Sequence, residues 1–478
     1  MKSKQRNRTV LSLVLVALVV ASSSVSWAQH QDSVDVETDP AVLKKLEWFQ
    51  DLKFGLMMHW GPYSQWGIVE SWSICSEDEP WCQRTMDNYV QYCEAYEKLK
   101  NTFNPVQFDP DAWASAAKYA GMRYVVFTTK HHDGFCMFDT KQTDYCITDS
   151  SCPFHTNPRS NVTKEIFTAF RNAGFGIGAY FSKADWHSPY YWDPYWAHAD
   201  RNVNYSIAKH PDIWKKFVQY THNQIEELMN GYGAIDILWL DGGWVRPENK
   251  DQDIDIPHIA QMARSHQPGL IIVDRSVGGR YEDYRTPEQT IPERPLGYVW
   301  ETCMTMGKSW SYVPNDAYKS SGTLVHILVD IVAKGGNFLL NIGPDAQGTL
   351  PSESIKRLKD IGEWMKINSS AIYSTRPVAP YTENNFRFTK QRDGSIDAIY
   401  LVGRTTTTMP HKVILESFVP AKGSEIQLLG VREPLAWERV GNGVVITVPE
   451  RVRNNPPCIY AWTFRIEKPE EANESANE

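Results

Sequence analysis

Between about residue 50 and residue 370, short apolar runs alternate with amphipathic segments, and this alternation constrains the fold more than any other feature. The runs predict parallel strands, and the intervening segments predict helices that cross from one strand to the next. Nearly every residue in a run is apolar, as expected for strands that are buried on both faces of a sheet. The predicted strands cover residues 54–59, 124–129, 176–181, 235–240, 270–273, 298–299 and 338–342, and the predicted helices cover 109–121, 164–173, 213–229, 323–333 and 355–367.

Both a closed barrel and an open doubly wound sheet fit this pattern, and the positions of the polar residues favour the barrel. A barrel brings the carboxyl ends of all its strands to one mouth, where barrel enzymes carry their sites. No GxGxxG motif follows a strand, which argues against a dinucleotide-binding fold. The sequence therefore predicts an α/β chain in which residues 29–375 form a TIM-like (β/α)-barrel catalytic domain. The polar residues at or just past strand ends are His59, residues 130–133, Tyr180, Asp241, Arg275 and Asn341.

After residue 373 the pattern changes to short alternating segments separated by turn residues. Residues 375–380 are predicted to be a linker, and residues 380–467 are predicted to form a small antiparallel β-sandwich. Within it, Gly441-Asn442-Gly443 is typical of a hairpin turn. The acidic, polar residues 468–478 are expected to be a disordered tail.

The first 28 residues are predicted to be a cleaved signal peptide. Four basic residues precede an apolar run of signal-peptide length, and Ser26-Trp27-Ala28 places small residues where a signal peptidase reads them. An uncleaved anchor helix is the alternative. Cleavage after Ala28 removes four positive charges and takes the formal net charge from −8 to −12. We therefore expect an exported, periplasmic or secreted protein with no membrane anchor, and the negative charge disfavours nucleic acid as a partner.

Eight cysteines follow the predicted cleavage site. Export would permit disulfides, and the absence of a CxxC pair makes a metal site built from cysteines a weak interpretation. The sequence leaves the disulfide connectivity and the oligomeric state open.

The clearest candidate for chemistry is Asp241, in the segment Leu238-Trp239-Leu240-Asp241-Gly242-Gly243. A carboxylate directly after a buried strand is held rigidly at the barrel mouth, and glycine neighbours let a ligand approach the backbone closely. Such an aspartate can act as a nucleophile on a sugar carbon. The alternative is an aspartate that only caps a turn.

Three histidines also end predicted strands: His59, His131 and His132. They can hydrogen-bond to substrate hydroxyls, and His–Asp clusters can also hold a metal ion. Adjacent residues on a strand point to opposite faces, so the two neighbouring histidines chelate one ion only if the strand has already ended. No metal is therefore predicted. Arg275 ends the fifth strand and could orient the aspartate, while Glu70 and Trp72 lie in the loop after His59.

Glycoside hydrolysis needs a second carboxyl group that protonates the leaving oxygen. A proline-stiffened stretch carries Glu282, Glu288 and Glu293, and Glu301 follows it. Each of these could instead be an ordinary solvated charge. A stiff loop over the mouth could supply the acid.

Four motifs, taken in order, are similar to those of the α-L-fucosidase family of retaining glycosidases, glycoside hydrolase family 29. They are His59-Trp60-Gly61, residues 130–135, residues 239–242 and Trp300-Glu301-Thr302. The resemblance covers about residues 45–375 and implies a barrel followed by a β-sandwich. It implies a retaining, exo-acting enzyme that releases terminal α-L-fucosyl units from oligosaccharides or glycoconjugates without a cofactor.

The resemblance also implies roles for individual residues. Asp241 matches the nucleophile. The acid/base is assigned to Glu288 in preference to Glu301, because of its Thr286-Pro287-Glu288 context and its distance after Asp241. Glu70 resembles a hydroxyl-binding glutamate, although the tryptophan usually next to it is Ser71 here and Trp72 comes one residue later. The remaining substrate-binding positions are His59, His131, His132, Tyr180, Trp239 and Arg275.

Two alternatives to a fucosidase remain open from the residues themselves. One is a metal-dependent barrel hydrolase that uses His59, His131, His132 and Asp241. The other is a sugar-binding protein without catalytic activity. The fucosyl linkage that is cleaved is not specified by the sequence.

Overall fold

The computed structural model describes residues 37–75, 82, 84–403, 405–406 and 408–470. The predicted signal peptide, residues 1–28, lies outside these described residues, as do residues 471–478 of the predicted tail. Within the described ranges, no helix has the length and apolar character needed to cross a membrane.

Seven parallel strands form the first sheet, in the order β5-β4-β3-β2-β1-β7-β6. Six of them overlap predicted strands. The sixth prediction, at residues 298–299, was wrong in position, because β6 is a buried strand with the partly polar sequence ETCMT. The strands are β1 (Phe54–Met58), β2 (Tyr124–Lys130), β3 (Gly176–Ser182), β4 (Ile237–Asp241), β5 (Ile271–Asp274), β6 (Glu301–Thr305) and β7 (Asn337–Ile342).

The two edge strands of this sheet, β5 and β6, do not pair with each other. The stretch 281–289, here called the closing segment, lies between them. It pairs antiparallel with β5, where Asp283 N donates to Ile272 O at 2.9 Å. It pairs in parallel with β6, where Cys303 N donates to Pro287 O at 3.2 Å. The closing segment therefore takes the place of an eighth strand and completes a TIM-like barrel wall.

In the part of the chain that the structure describes, eight α-helices accompany the sheet: α1 (Pro40–Leu52), α2 (Tyr89–Glu97), α3 (Pro110–Tyr119), α4 (Val162–Asn172), α5 (Pro211–Gly231), α6 (Ile256–His266), α7 (Ser321–Ala333) and α8 (Ser352–Asn368). Five were predicted; α1, α2 and α6 were not. Helix α1 begins at Pro40 and is capped by Asp39, whose side chain accepts a hydrogen bond from the backbone N–H of Ala41. Its Phe49 stacks on Tyr284 and meets Tyr124 edge-on, so α1 packs against the interior of the barrel.

The C-terminal part consists of antiparallel strands in two sheets, with orders β12-β15-β10-β9-β8 and β11-β14-β13. The two sheets share one hydrophobic core. The predicted hairpin is present, since Gly441 and Asn442 connect β13 to β14. The elements are β8 (Arg376–Glu383), β9 (Phe386–Lys390), β10 (Ile396–Leu401), β11 (Lys412–Leu415), β12 (Ile426–Leu428), β13 (Ala436–Val440), β14 (Gly443–Thr447), α9 (Glu450–Asn454) and β15 (Ala461–Ile466).

Two predictions for this part were wrong in detail. Residues 375–380 are not a linker, because β8 begins at Arg376. Strand β8 is an edge strand, and an edge accommodates Pro377 and Pro380, which lack a backbone donor. The expected disorder from residue 468 is also wrong at its start. Lys468 accepts a hydrogen bond from Ala421 N, and Glu470 N donates to Val419 O.

Candidate active site

A pocket at the carboxyl ends of the barrel strands brings together the ten residues to which the sequence analysis assigned a catalytic or substrate-binding role. It encloses about 450 Å³ of empty space, including its opening to solvent. The ten residues are His59, Glu70, Trp72, His131, His132, Tyr180, Trp239, Asp241, Arg275 and Glu288.

Asp241 is the last residue of β4, and the two glycines after it shape the turn beside the pocket. Gly242 has a φ of 88°, a left-handed conformation that favours glycine. A Cβ atom on Gly243 would lie 2.9 Å from the carbonyl oxygen of Arg275. The absence of side chains here lets the loops after β4 and β5 come close, which puts Arg275 next to Asp241.

Three donors hold the Asp241 carboxylate. Tyr180 donates its hydroxyl to Oδ2 at 2.7 Å, while Arg275 Nη1 and the backbone N–H of Gly242 donate to Oδ1 at 3.0 and 2.8 Å. Nε2 of His132 lies 3.8 Å from Oδ2. Burial opposes ionisation, but the charge of Arg275 and these hydrogen bonds outweigh it and hold the pKa of Asp241 well below its usual range. Asp241 is thus an oriented carboxylate that stays ionised at neutral pH.

The same guanidinium group also binds Glu288. Arg275 Nη2 donates to Glu288 Oε2, so Asp241 and Glu288 bind opposite branches of one arginine. The Arg275 guanidinium lies 5.2 Å from the ring centre of Trp239. The side chain of Asp241 is 13% exposed and that of Glu288 is 41% exposed. One carboxylate is therefore deep in the pocket, and the other is at its mouth.

The three histidines are each fixed through Nδ1. His59 pairs with Asn341 Oδ1 at 2.8 Å, His131 with Ser71 Oγ at 2.5 Å and His132 with Ser182 Oγ at 2.7 Å. Among the described residues, no hydrogen bond engages the Nε2 atom of these rings, so each can bind a further partner. Burial lowers the pKa of His59 and His132 to about 4 and that of His131 well below its usual range. The rings are therefore neutral at neutral pH and suit hydrogen bonds with hydroxyl groups.

Glu70 and Trp72 reach the pocket from the loop after β1. Glu70 is buried, and its Oε2 has no hydrogen-bond partner among the described residues. Burial, reinforced by the nearby charges of Glu288 and Asp241, raises the pKa of Glu70 to about 7. Ser71 stands where the family pattern has a tryptophan. Its hydroxyl hydrogen-bonds to His131, and it places no aromatic ring in the pocket wall. The indole of Trp72 meets the ring of His132 edge-on at 5.4 Å.

His131, His132 and Asp241 offer ligand atoms that lie within 4.8 Å of one another, so they form a candidate metal site by distance alone. The electrostatics oppose this use. Both oxygens of Asp241 already accept hydrogen bonds, and the positive Arg275 lies 3.0 Å from one of them. A cation placed there would be repelled by Arg275.

The sequence did not identify four further residues that line the pocket: Met57, Trp244, Cys303 and Trp310. The carbonyl oxygen of Trp310 accepts a hydrogen bond from Asn341 Nδ2 at 2.6 Å, which links it to the partner of His59. Trp244 follows Asp241 by only three residues, and that spacing was the one available signal. Glu301, the alternative acid/base, does not line the pocket but lies inside the barrel.

Comparison with known proteins agrees with this geometry. Residues 20–370 match the family model described as Alpha-L-fucosidase, and residues 381–467 match the model of the Alpha-L-fucosidase C-terminal domain. The Alpha-L-fucosidase of Dictyostelium discoideum is 28% identical over 446 residues, covering 88% of this chain and 92% of that protein. The human Plasma alpha-L-fucosidase is 27% identical over 474 residues and covers 93% of both chains.

Solved structures give the same result. Alpha-L-fucosidase isoenzyme 1 from Paenibacillus thiaminolyticus has 30% identity and a TM-score of 0.73, covering 90% of this chain and 100% of that one. The Thermotoga maritima alpha-fucosidase in complex with fucose has 27% identity and a TM-score of 0.69, covering 88% and 96%. The first family model spans most of the chain, and the pocket lies within that span; the chain belongs to the alpha-L-fucosidase family.

Proposed function

We propose that this protein is a retaining, exo-acting α-L-fucosidase that hydrolyses terminal α-L-fucosyl linkages of oligosaccharides or glycoconjugates by double displacement. The observation that carries the proposal is the arrangement of two carboxylates on one guanidinium. Asp241 is deep, oriented and ionised, and Glu288 is at the mouth. Retaining glycosidases need such a pair, one group to attack and one to transfer a proton.

In the first step, a carboxylate oxygen of Asp241 forms a bond to the anomeric carbon while the bond from that carbon to the leaving oxygen breaks. Glu288 transfers its proton to the leaving oxygen. In the second step, Glu288 takes a proton from water, whose oxygen attacks the anomeric carbon and releases Asp241. Two inversions return the fucose with its original configuration. The chemistry needs carboxyl groups about 5–5.5 Å apart in the closed site.

Glu288 must be protonated in the first step and ionised in the second. Its ion pair with Arg275 suits the ionised form. Because 41% of its side chain is exposed, it can exchange protons with solvent between turnovers. The side chain of Asp241 is only 13% exposed, and it stays ionised, as a nucleophile requires.

The neutral histidines supply hydrogen bonds to the hydroxyl groups of the sugar. Their fixed Nδ1 partners set the direction of each Nε2. Glu70, with a free oxygen and a pKa near neutrality, can accept or donate one more. The rings of Trp72 and Trp239 give apolar faces to the sugar.

Azide rescue separates the two carboxylate roles. Asp241→Gly should lose nearly all activity, and azide should restore turnover of an activated α-fucoside to give the β-fucosyl azide. Glu288→Gly should lose on the order of 10²–10⁴-fold with a poor leaving group, and azide should give the α-fucosyl azide. Glu293→Gln, in the same loop, is the control and should keep full activity. Unchanged turnover in Asp241→Gly would end the proposal.

Two assays on the unmodified protein decide between the alternatives. Release of fucose from an aryl fucoside excludes a protein that only binds sugar. Inhibition by a strong chelator that is reversed by added metal would favour the metal-dependent hydrolase over the double displacement.

We further propose that residues 1–28 are a signal peptide cleaved after Ala28, and that the mature chain comprises a barrel domain, residues 29–375, followed by the sandwich domain to residue 467. The basic and apolar order of residues 1–28 supports export. The mass of the intact protein purified from its native host tests cleavage, and a mature chain that begins at Met1 would contradict it.

A further inference from the structure

Glu301 is a buried carboxylate at the start of β6, and the pocket does not reach it. Three donors bind its two oxygens. Tyr124 donates its hydroxyl to Oε2 at 2.6 Å, while Trp239 Nε1 and the hydroxyl of Tyr284 donate to Oε1, each at 3.3 Å. The residue has no exposed surface. A buried carboxylate costs several kcal/mol unless it is well hydrogen-bonded, so its place in a barrel interior calls for an explanation.

The partners of Glu301 come from distinct parts of the wall. Tyr124 starts β2, Trp239 lies in β4 and Tyr284 lies in the closing segment. Barrel interiors are filled by layers of side chains from alternate strands, and β2, β4 and β6 fit this rule. Burial raises the pKa of Glu301 to about 7, and the three donors oppose that rise.

One of these contacts leads to the nucleophile. The ring of Trp239 stacks on that of Tyr180, with ring centres 5.3 Å apart and planes at 22°. The guanidinium carbon of Arg275 lies 5.2 Å from the ring centre of Trp239. Tyr180 and Arg275 are both donors to Asp241. The hydrogen bond from Trp239 to Glu301 therefore fixes the indole ring against which Tyr180 and Arg275, the donors to Asp241, are packed.

Another contact leads to the acid/base. Tyr284 lies four residues before Glu288 in the closing segment, which is joined to β5 and β6 by a few backbone hydrogen bonds. The hydroxyl of Tyr284 is fixed to Glu301. The carboxylate of Glu301 thus connects Trp239, which packs against the donors to Asp241, with the closing segment that carries Glu288.

We propose that Glu301 is a positioning residue that sets the placement of Glu288 relative to Asp241, by binding Trp239 of β4 and Tyr284 of the closing segment through one oxygen. The inference rests on the proposed function, because it assigns Glu288 the proton transfer. Loss of either contact displaces the acid/base more than the nucleophile, since β4 is paired on both sides and the closing segment is not a regular strand.

The test compares two fucosides, one with an activated aryl leaving group and one with a poor alkyl leaving group. An activated aryl group leaves without being protonated, so only the fucoside with the poor leaving group depends on proton transfer from Glu288. Glu301→Gln and Tyr284→Phe should lower kcat on the poor substrate on the order of ten-fold more than on the activated one. The inhibition constant for fucose should change little.

Tyr124→Phe is the matched control. It removes a donor from the same carboxylate, and among the described residues the Tyr124 hydroxyl makes no hydrogen bond to the closing segment or to the donors of Asp241. It should lower both rates by the same factor. If Glu301→Gln does not fold, Tyr284→Phe decides the question, because it leaves the carboxylate in place.

Glu288→Gln provides the benchmark that separates the two proposals. If it shows no dependence on the leaving group, the proposed function itself fails. If Glu288→Gln shows that dependence while Tyr284→Phe and Glu301→Gln lower both substrates equally, the positioning role of Glu301 is overturned and the proposed function stands.

Discussion

Replacing Arg275 with methionine should move the acidic limb of the pH–activity profile toward neutral pH. Asp241 attacks only when ionised, and the Arg275 charge is what overcomes its burial. Nη1 lies 3.0 Å from Oδ1, and the two side chains are 15% and 13% exposed, so water screens them little. With charge centres about 4 Å apart and an effective dielectric constant of about 20, the attraction is about 4 kcal/mol, or about 3 pH units.

The sign follows from the direction of the shift. In the native protein the pKa of Asp241 lies well below its usual value, so activity persists until the fold itself fails in acid. Without Arg275, burial acts unopposed by that charge, the pKa rises, and activity is lost at a higher pH. The measurement is kcat/KM for an activated aryl fucoside against pH, which reports the free enzyme and needs little help from Glu288.

Arg285→Met is the control for this experiment. Arg285 lies in the closing segment and pairs with Glu282, not with Asp241. Its profile should match that of the unmodified protein. An acidic limb that stays in place in Arg275→Met, or moves to lower pH, would refute the electrostatic account of Asp241.

Three further predictions concern other parts of the chain. Gly243→Ala should lower activity with the fold retained, because its Cβ would meet the carbonyl oxygen of Arg275 at 2.9 Å; steady-state kinetics and circular dichroism check this. Gly231→Ala, at the end of α5, meets no atom within 4 Å and should raise the free energy of unfolding by up to about 1 kcal/mol; urea denaturation measures it, and a loss would contradict it. Lys183→Met breaks a buried ion pair with Asp274 and should cost about 3–5 kcal/mol, part of which should return when Asp274→Asn is added.

The sequence predicted the barrel strands best where both faces are buried and apolar. The sequence did not predict strand β6, because Glu301 lies inside the barrel and a buried carboxylate interrupts the apolar pattern. Helix α1 was missed although Asp39 caps it and Pro40 begins it. Residues 375–380 resembled a linker because prolines are common in linkers, but an unpaired sheet edge accepts them too.

The candidate site was predictable because strand ends in a barrel converge. His59, His131 and Asp241 each follow an apolar run, and their proximity required only the closed wall. Trp244 and Trp310 lie in loops whose path no periodicity specifies. The bridge that Arg275 makes between Asp241 and Glu288 is likewise a property of three dimensions, since it depends on how far the closing segment reaches.

The barrel wall has one position that is not a regular strand, and this has a consequence for protein engineering. Residues that follow the closing segment, 290–299, lead away from Glu288 at the mouth and return to β6 at Glu301. Both ends of this stretch are hydrogen-bonded to the barrel wall, since Arg285 N donates to Val299 O and the Thr302 hydroxyl donates to Thr290 O. Insertions in the middle of 290–299 should therefore disturb the closing segment and Glu288 less than changes at Thr290 or Val299, which make these hydrogen bonds.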